Sequence, residues 1–169
     1  RDRSVSRGLG DVYKRQTVYN RGLEKHHNVY DVDGVHARRV FTLQKPALNA
    51  TIYSFLATFD ALFRGYDVLH YHAIGPSVPL LIAKIFGKHT VCTVHGLNWK
   101  VDKWRGFASR YMKLGERIAA KYADDLVVLS ETEWNYFLQK YGRASILIPN
   151  AIRFYEKHAC SLIREKYGL

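Results

Sequence analysis

A chain of 169 residues, 47% of them hydrophobic, carries enough apolar side chain for one domain with its own core and lacks the composition of a disordered segment. A formal charge of +11 suits phosphorylated substrates, nucleic acid or an anionic membrane face without choosing among them. Cys92 and Cys160 match no zinc, redox or disulfide spacing, no apolar run is long enough to cross a bilayer, and no hydrophobic leader opens the chain, so the expectation is a cytoplasmic domain folded around one sheet.

Residues 1–16, ending Gly8-Leu9-Gly10-Asp11-Val12-Tyr13-Lys14-Arg15-Gln16, have neither helical nor strand periodicity. They resemble the translated frame of a transposase adapter used in preparing sequencing libraries, and are set aside as a non-native tail. Without them the charge falls from +11 to +8, so the body stays basic.

From Thr17 onward, short β-rich runs alternate with amphipathic helical stretches, the order of a parallel sheet with helices on both faces. Val35 to Thr42 reads as a strand. Asn49 to Phe63 places Ile52, Phe55, Leu56, Phe59, Leu62 and Phe63 at helical spacing, and Gly65 stops it. Asp67 to His72 is a short strand, followed by Gly75-Pro76-Ser77 and an apolar helix to about Phe86. Thr90 to His95 is the next strand, ended by Gly96. A longer helix from about Trp104 to Tyr122 spaces Trp104, Phe107, Tyr111, Ile118 and Tyr122 for one face. Leu126 to Leu129 is a continuous apolar run typical of a central parallel strand. Ser130-x-x-Glu133 is a capping box that opens a helix with Trp134, Phe137, Leu138 and Tyr141 inward. Ile146 to Ile148 is the last strand, and Glu156 to Tyr167 reads as a helix leading out of the domain.

Open parallel sheets bind ligands beyond the carboxyl ends of their strands, and the polar residues of this chain fall there. His70 and His72 close one strand, His95-Gly96 the next, Ser130-Glu131 the one after and Pro149-Asn150 the last. His70 and His72, two apart, share a face and suit either a metal or a hydrogen-bonded sheet edge, but no further ligand follows at a supporting spacing. His95 precedes a glycine that admits a close backbone approach, and its imidazole suits hydrogen bonding to a sugar or phosphate, acid–base work, or a structural role. Lys100, Lys103, Arg105, Arg110, Lys113, Arg117 and Lys121 lie among Trp99, Trp104, Phe107 and Tyr111. That mixture suits an anionic membrane or a lipid-phosphate acceptor, or an ordinary helix with its aromatic residues inward. Single-stranded nucleic acid would use the same mixture, but no nucleic-acid motif accompanies it, and nucleic acid is not expected as a partner.

Tyr66-Asp67-Val68-Leu69-His70-Tyr71-His72-Ala73-Ile74-Gly75-Pro76-Ser77, Phe86-Gly87-Lys88, Val91 to Trp99, Lys103-Trp104-x-Gly106-Phe107-Ala108, Gly115-Glu116, Tyr122-Ala123-Asp124, Val127 to Ser130, Tyr141-Gly142-Arg143 and Ile148-Pro149-Asn150 occur in one order. Together they resemble the N-terminal domain of family-4 glycosyltransferases, closest to the bacterial branch that includes rhamnosyltransferases. The resemblance implies an α/β fold, a Rossmann-like doubly wound sheet forming the acceptor-side half of a two-domain GT-B enzyme. It implies a nucleotide-sugar donor, a lipid-linked or glycan acceptor, no metal or other cofactor, and retention of anomeric configuration. His95 matches the family position that points at the transferred sugar. His70, His72, Gly75, Gly96, Asn98, Trp99, Ser130, Glu131 and Asn150 fall on cleft-lining positions, and Lys100, Lys103, Trp104, Arg105 and Arg110 are the candidates for contact with a membrane or acceptor phosphate.

By the same resemblance, residues 17–152 form the acceptor-side domain without the family's first strand and glycine-rich loop. Residues 153–169 begin the linker to a donor-binding domain that lies outside this sequence. The fragment is therefore expected to be inactive alone. Asn150-Ala151 stands where the family usually has Asn-Gly, so a turn with positive φ there would be strained. Two rival readings are a non-catalytic glycan- or nucleotide-binding module and a metal-dependent hydrolase using His70, His72 and His95.

Overall fold

The computed structural model describes residues 16–22, 29–32, 35–42, 46–97 and 106–150. Strands β1 (Thr17–Gly22), β2 (Val29–Val32) and β3 (Val35–Phe41) are followed by helix α1 (Pro46–Leu62) and strand β4 (Val68–His72). Helix α2 (Leu80–Ile85), β5 (His89–Val94), α3 (Phe107–Tyr122), β6 (Asp125–Val128), α4 (Glu131–Tyr141) and β7 (Ile146–Leu147) complete the order. The α/β, Rossmann-like architecture is the one expected.

Among the described residues the strands form two hydrogen-bonded sheets, where one was expected. β1, β3 and β2 make a three-stranded sheet, with β1 parallel and β2 antiparallel to β3. β4, β5, β6 and β7 make a four-stranded, all-parallel sheet in that spatial order. The antiparallel β2 departs from the all-parallel expectation. Only two residues, 33 and 34, separate β2 from β3, which permits a hairpin and is far too few for a parallel crossover.

The core belongs to the four-stranded sheet. Leu69 and Tyr71 of β4, Cys92 and Val94 of β5 and Leu126 and Val128 of β6 share a face, and Ile74, Leu80, Ala83, Ile118, Ala119 and Phe137 pack into the same cluster. The run Leu126–Val128 in this strand is short, apolar and buried, whereas a lone helical turn would leave its ladder groups without partners.

Two helix faces differ from the periodicity. α1 exists, but Ser54, Thr58 and Ala61 are its buried residues, while Leu56, Phe59 and Phe63 are exposed. Small side chains at i, i+4 and i+7 let the helix lie close to the sheet, and the Thr58 hydroxyl meets the Tyr71 hydroxyl at 3.0 Å. α3 buries Met112, Glu116, Ile118, Ala119 and Ala120 and leaves Tyr122 exposed. Its buried carboxylate is satisfied by donors from α4: Tyr136 at 2.8 Å, Lys140 at 2.8 Å and Tyr141 at 2.6 Å.

α4 follows its local code. Ser130 Oγ accepts from Glu133 N–H, and Gly142, at φ 62°, ends the helix in the left-handed conformation. The Glu133 carboxylate reaches Leu129 N–H, one residue before the cap, so the box closes a step wider than the usual form. Leu138, expected inward, is partly exposed at 38%. Among the described residues no helix is long and apolar enough to cross a membrane. The expected helix from Glu156 to Tyr167 lies outside the described residues.

Candidate active site at the carboxyl rim of the four-stranded sheet

All four strands of this sheet run the same way, so the residues after them collect on one rim. In β4, Leu69 and Tyr71 point into the core, and Val68, His70 and His72 point to the other face, where all three are exposed. His72 is in register with Thr93 of β5, which sets His95 one step further along that face.

The imidazoles meet there. His70 Nε2 lies 2.8 Å from Thr93 Oγ1, and His72 Nδ1 lies 3.2 Å from His95 Nε2. The rings of His70 and His72 are 4.2 Å apart and those of His72 and His95 are stacked at 5.5 Å. A hydrogen bond between two imidazoles needs one nitrogen protonated and the other bare, so the tautomer of one ring sets that of the other. Partial burial, then the charges of His72 and His95, lower the pKa of His70; burial, then His95, lowers that of His72. His70 and His72 therefore favour the neutral ring, which both donates and accepts hydrogen bonds. Among the described residues no group of three or more His, Cys, Asp or Glu is arranged to hold a metal ion.

The turn after β4 shapes the same rim. Ala73 has φ 75°, a left-handed conformation uncommon for a residue with a side chain, and its N–H donates to Thr93 O at 2.8 Å. Nothing in the sequence marks this position. Ser77 Oγ donates to Ile74 O at 2.7 Å and Gly115 O at 3.2 Å, fastening the turn to α3. Gly115 makes this approach possible, since a Cβ there would lie 1.9 Å from Ile74 O. Gly96, at φ 100°, turns the chain out of β5, as the glycine after His95 suggested. Gly75 lies in the turn without a positive φ, and a Cβ there would only touch Met112.

Ser130, Glu131 and Asn150 are exposed on the same rim beyond β6 and β7, but the Ser130 hydroxyl is engaged as the cap of α4. Arg110 is exposed in the first turns of α3. Asn98, Trp99, Lys100, Lys103, Trp104 and Arg105 lie outside the described residues, as does Ala151 with its expected strained turn. Cys92 is fully buried beneath the rim, its thiol pushed up to about 12 by burial, which removes it as a nucleophile.

The family model of Glycosyltransferase Family 4 matches residues 11–154, most of the chain. The chain belongs to glycosyltransferase family 4. The match opens inside the stretch 1–16 that the sequence reading sets aside. No curated protein matches this family-4 chain. Among solved structures it is similar to a sucrose-phosphate synthase from Thermosynechococcus elongatus, with TM-score 0.67 and 16% identity over 95% of this chain and 44% of that one. A second structure of the synthase from that organism gives TM-score 0.58 and 13% identity over 86% of this chain and 81% of that one. At these identities the likeness shows a shared fold. The family-4 chain spans less than half of the first of these structures.

Proposed function

We propose that this family-4 domain is the acceptor-side half of a retaining glycosyltransferase that moves a hexose or deoxyhexose from a nucleotide sugar to a lipid-linked or glycan acceptor in cell-surface polysaccharide synthesis. The observation that carries the reading is the exposed His72–His95 pair at the carboxyl rim of a parallel sheet, 3.2 Å between ring nitrogens. Exposed imidazoles suit hydrogen bonding to sugar hydroxyls, and His95 is assigned as the contact that orients the transferred sugar against a donor-binding partner domain. His72 sets which His95 nitrogen carries the proton and so acts as a positioning residue.

Arg110, with Lys100, Lys103, Trp104 and Arg105, is assigned to an anionic membrane or acceptor phosphate, placing the enzyme peripherally at the inner membrane face. In this reading residues 17–152 are the acceptor-side domain and are inactive without a donor-binding half. The test uses the full-length enzyme with a nucleotide-sugar donor. His95→Ala is expected to lower kcat by at least about tenfold, or about 1.4 kcal/mol of transition-state stabilisation, with the fold intact by circular dichroism. Turnover equal to that of the unaltered enzyme would take His95 out of the site, and stoichiometric zinc or manganese in the purified protein without transfer activity would favour a metal hydrolase instead.

A further inference from the structure

Thr93 is 7% exposed, yet it lies on the face of the sheet that carries the exposed rings of His70, His72 and His95. Contacts from both strands converge on it. Its Oγ1 lies 2.8 Å from His70 Nε2, its carbonyl accepts the Ala73 N–H at 2.8 Å, and its register partner on β4 is His72. A β-branched side chain on a strand has a restricted χ1, so the ladder that fixes the Thr93 backbone also fixes its hydroxyl. A hydroxyl closed off from water takes its partner inside the protein, and the partner here is the His70 ring.

From Thr93 the contacts run ring to ring. The His70 ring centroid is 4.2 Å from that of His72, and His72 Nδ1 lies 3.2 Å from His95 Nε2. An imidazole at an exposed strand end is otherwise free to change rotamer. With His70 tied at Nε2, its ring stands against His72 and restricts the rotamers open to it. His95 uses Nε2 in its bond to His72, which leaves Nδ1 as the ring nitrogen open to a ligand. A His72 Nδ1–H that donates to neutral His95 puts the His95 proton on Nδ1; the reverse bond leaves Nδ1 bare and able to accept. Without the bond, His95 presents either nitrogen in either tautomer.

We infer that Thr93 is a positioning residue for sugar transfer: its hydroxyl holds His70 against His72, which keeps His72 bonded to His95 Nε2 and leaves His95 Nδ1 for a hydroxyl of the transferred sugar. The inference rests on the assignment of His95 to that sugar, but the hold of Thr93 on the rings has a readout of its own that needs no turnover. A residue that merely fills the strand makes the opposite demand on substitution. Packing tolerates Val, which keeps the β-branched shape without the hydroxyl, better than Ser; positioning needs the hydroxyl and tolerates Ser better.

The test compares Thr93→Val, Thr93→Ser and His95→Ala in the full-length enzyme, by steady-state turnover with a nucleotide-sugar donor and by NMR spectra of the imidazole nitrogens. Thr93→Val should lower kcat at least about fivefold with KM for the donor changed less than about twofold, and Thr93→Ser should restore kcat to within about twofold of the unaltered enzyme. In the spectra, Thr93→Val should shift the His70 nitrogens and move those of His72 and His95 toward the averaged positions of rings exchanging between tautomers, while Thr93→Ser leaves all three rings in place. Thr93→Ala, which also lacks the hydroxyl, takes the place of Thr93→Val should that variant not fold. His72 and His95 signals unmoved by Thr93→Val overturn the inference whatever the turnover, as does undiminished kcat in that variant. Equal loss in Thr93→Ser and Thr93→Val overturns it too, because the methyl then matters as much as the hydroxyl. Full turnover in His95→Ala removes the sugar assignment and the part of Thr93 in transfer with it; loss in His95→Ala beside normal Thr93→Val confines the failure to Thr93.

Discussion

At the scale of single residues, the imidazole cluster ties folding to pH in a direction fixed by its geometry. His70 and His72 face each other, Thr93 and His95, and their pKa values are lowered by burial first and by neighbouring imidazoles second. A lowered pKa means that the unfolded chain binds more protons than the folded one between the folded value and the usual 6.5 or so. Stability therefore rises with pH through that window and is lost as pH falls through it. Asp124 behaves separately: the Lys84 ammonium and the Thr90 N–H hold its carboxyl down to about 2, so its contribution fades only in stronger acid. Urea unfolding from about pH 5 to 8 should show lower stability at the acid end, with a shallower dependence in His70→Asn/His72→Asn. An unchanged slope in that double variant would assign the titration to other groups. The rim positions of His70, His72 and His95 were legible because they follow short apolar runs. The bond between His72 and His95 was not, because register between β4 and β5 is set by packing rather than by spacing.

At the scale of elements, sequence reading succeeds where a local rule decides. Leu126-Val127-Val128 is too short and apolar to be anything but a buried strand, and Ser130 and Gly142 bound α4 by capping chemistry that depends on near neighbours alone. It fails for the face of α1. Periodicity sees Phe55, Phe59 and Phe63, but contact with Tyr71 favours the thin stripe Ser54, Thr58 and Ala61. Gly115 is the sharpest case of an element set by one residue. It sits in mid-helix, where glycine is unfavourable by about 1 kcal/mol relative to alanine, so propensity alone recommends replacing it. The close approach of Ile74 O reverses the sign, because a Cβ at 1.9 Å cannot be accommodated without moving α3 or the rim turn. Gly115→Ala should cost about 2–3 kcal/mol net and lower Tm by roughly 4–12 °C in a thermal melt. A Tm equal to or above that of the unaltered chain would mean that the turn at Ile74 relaxes freely and is not clamped by α3.

At the scale of the whole molecule, the two sheets differ in what holds them. The core cluster draws on β4, β5, β6, α1, α2, α3 and α4, and among the described residues β1 meets it only through the half-buried Tyr19, whereas Ala37 is the buried hydrophobic residue described in β1 or β3. The three-stranded sheet is attached through Asp60 of α1, which accepts from Tyr19 Oη at 2.7 Å and Arg38 Nε at 2.7 Å. A sheet fastened by polar contacts should open at lower free energy than one built around the core. Ladder amides of β1 and β3 should therefore exchange faster than those of β5 and β6. Two variants separate this from uniform stability. Val94→Ala removes fully buried methyl groups and lowers the opening free energy of β5 and β6 amides by roughly 2 kcal/mol, but leaves that of β1 and β3 unchanged, because their opening keeps the core intact. Asp60→Ala weakens the attachment itself and lowers both by about 1–3 kcal/mol, since every opening that frees β1 and β3 loses the same contacts. Equal responses of the two sheets to Val94→Ala would show one cooperative unit and remove the distinction. The asymmetry follows from where the apolar side chains fall, since β1 carries Asn20 and Arg21, and β3 carries His36, Arg38 and Arg39, where β5 and β6 carry Val91, Cys92, Val94 and Leu126 to Val128.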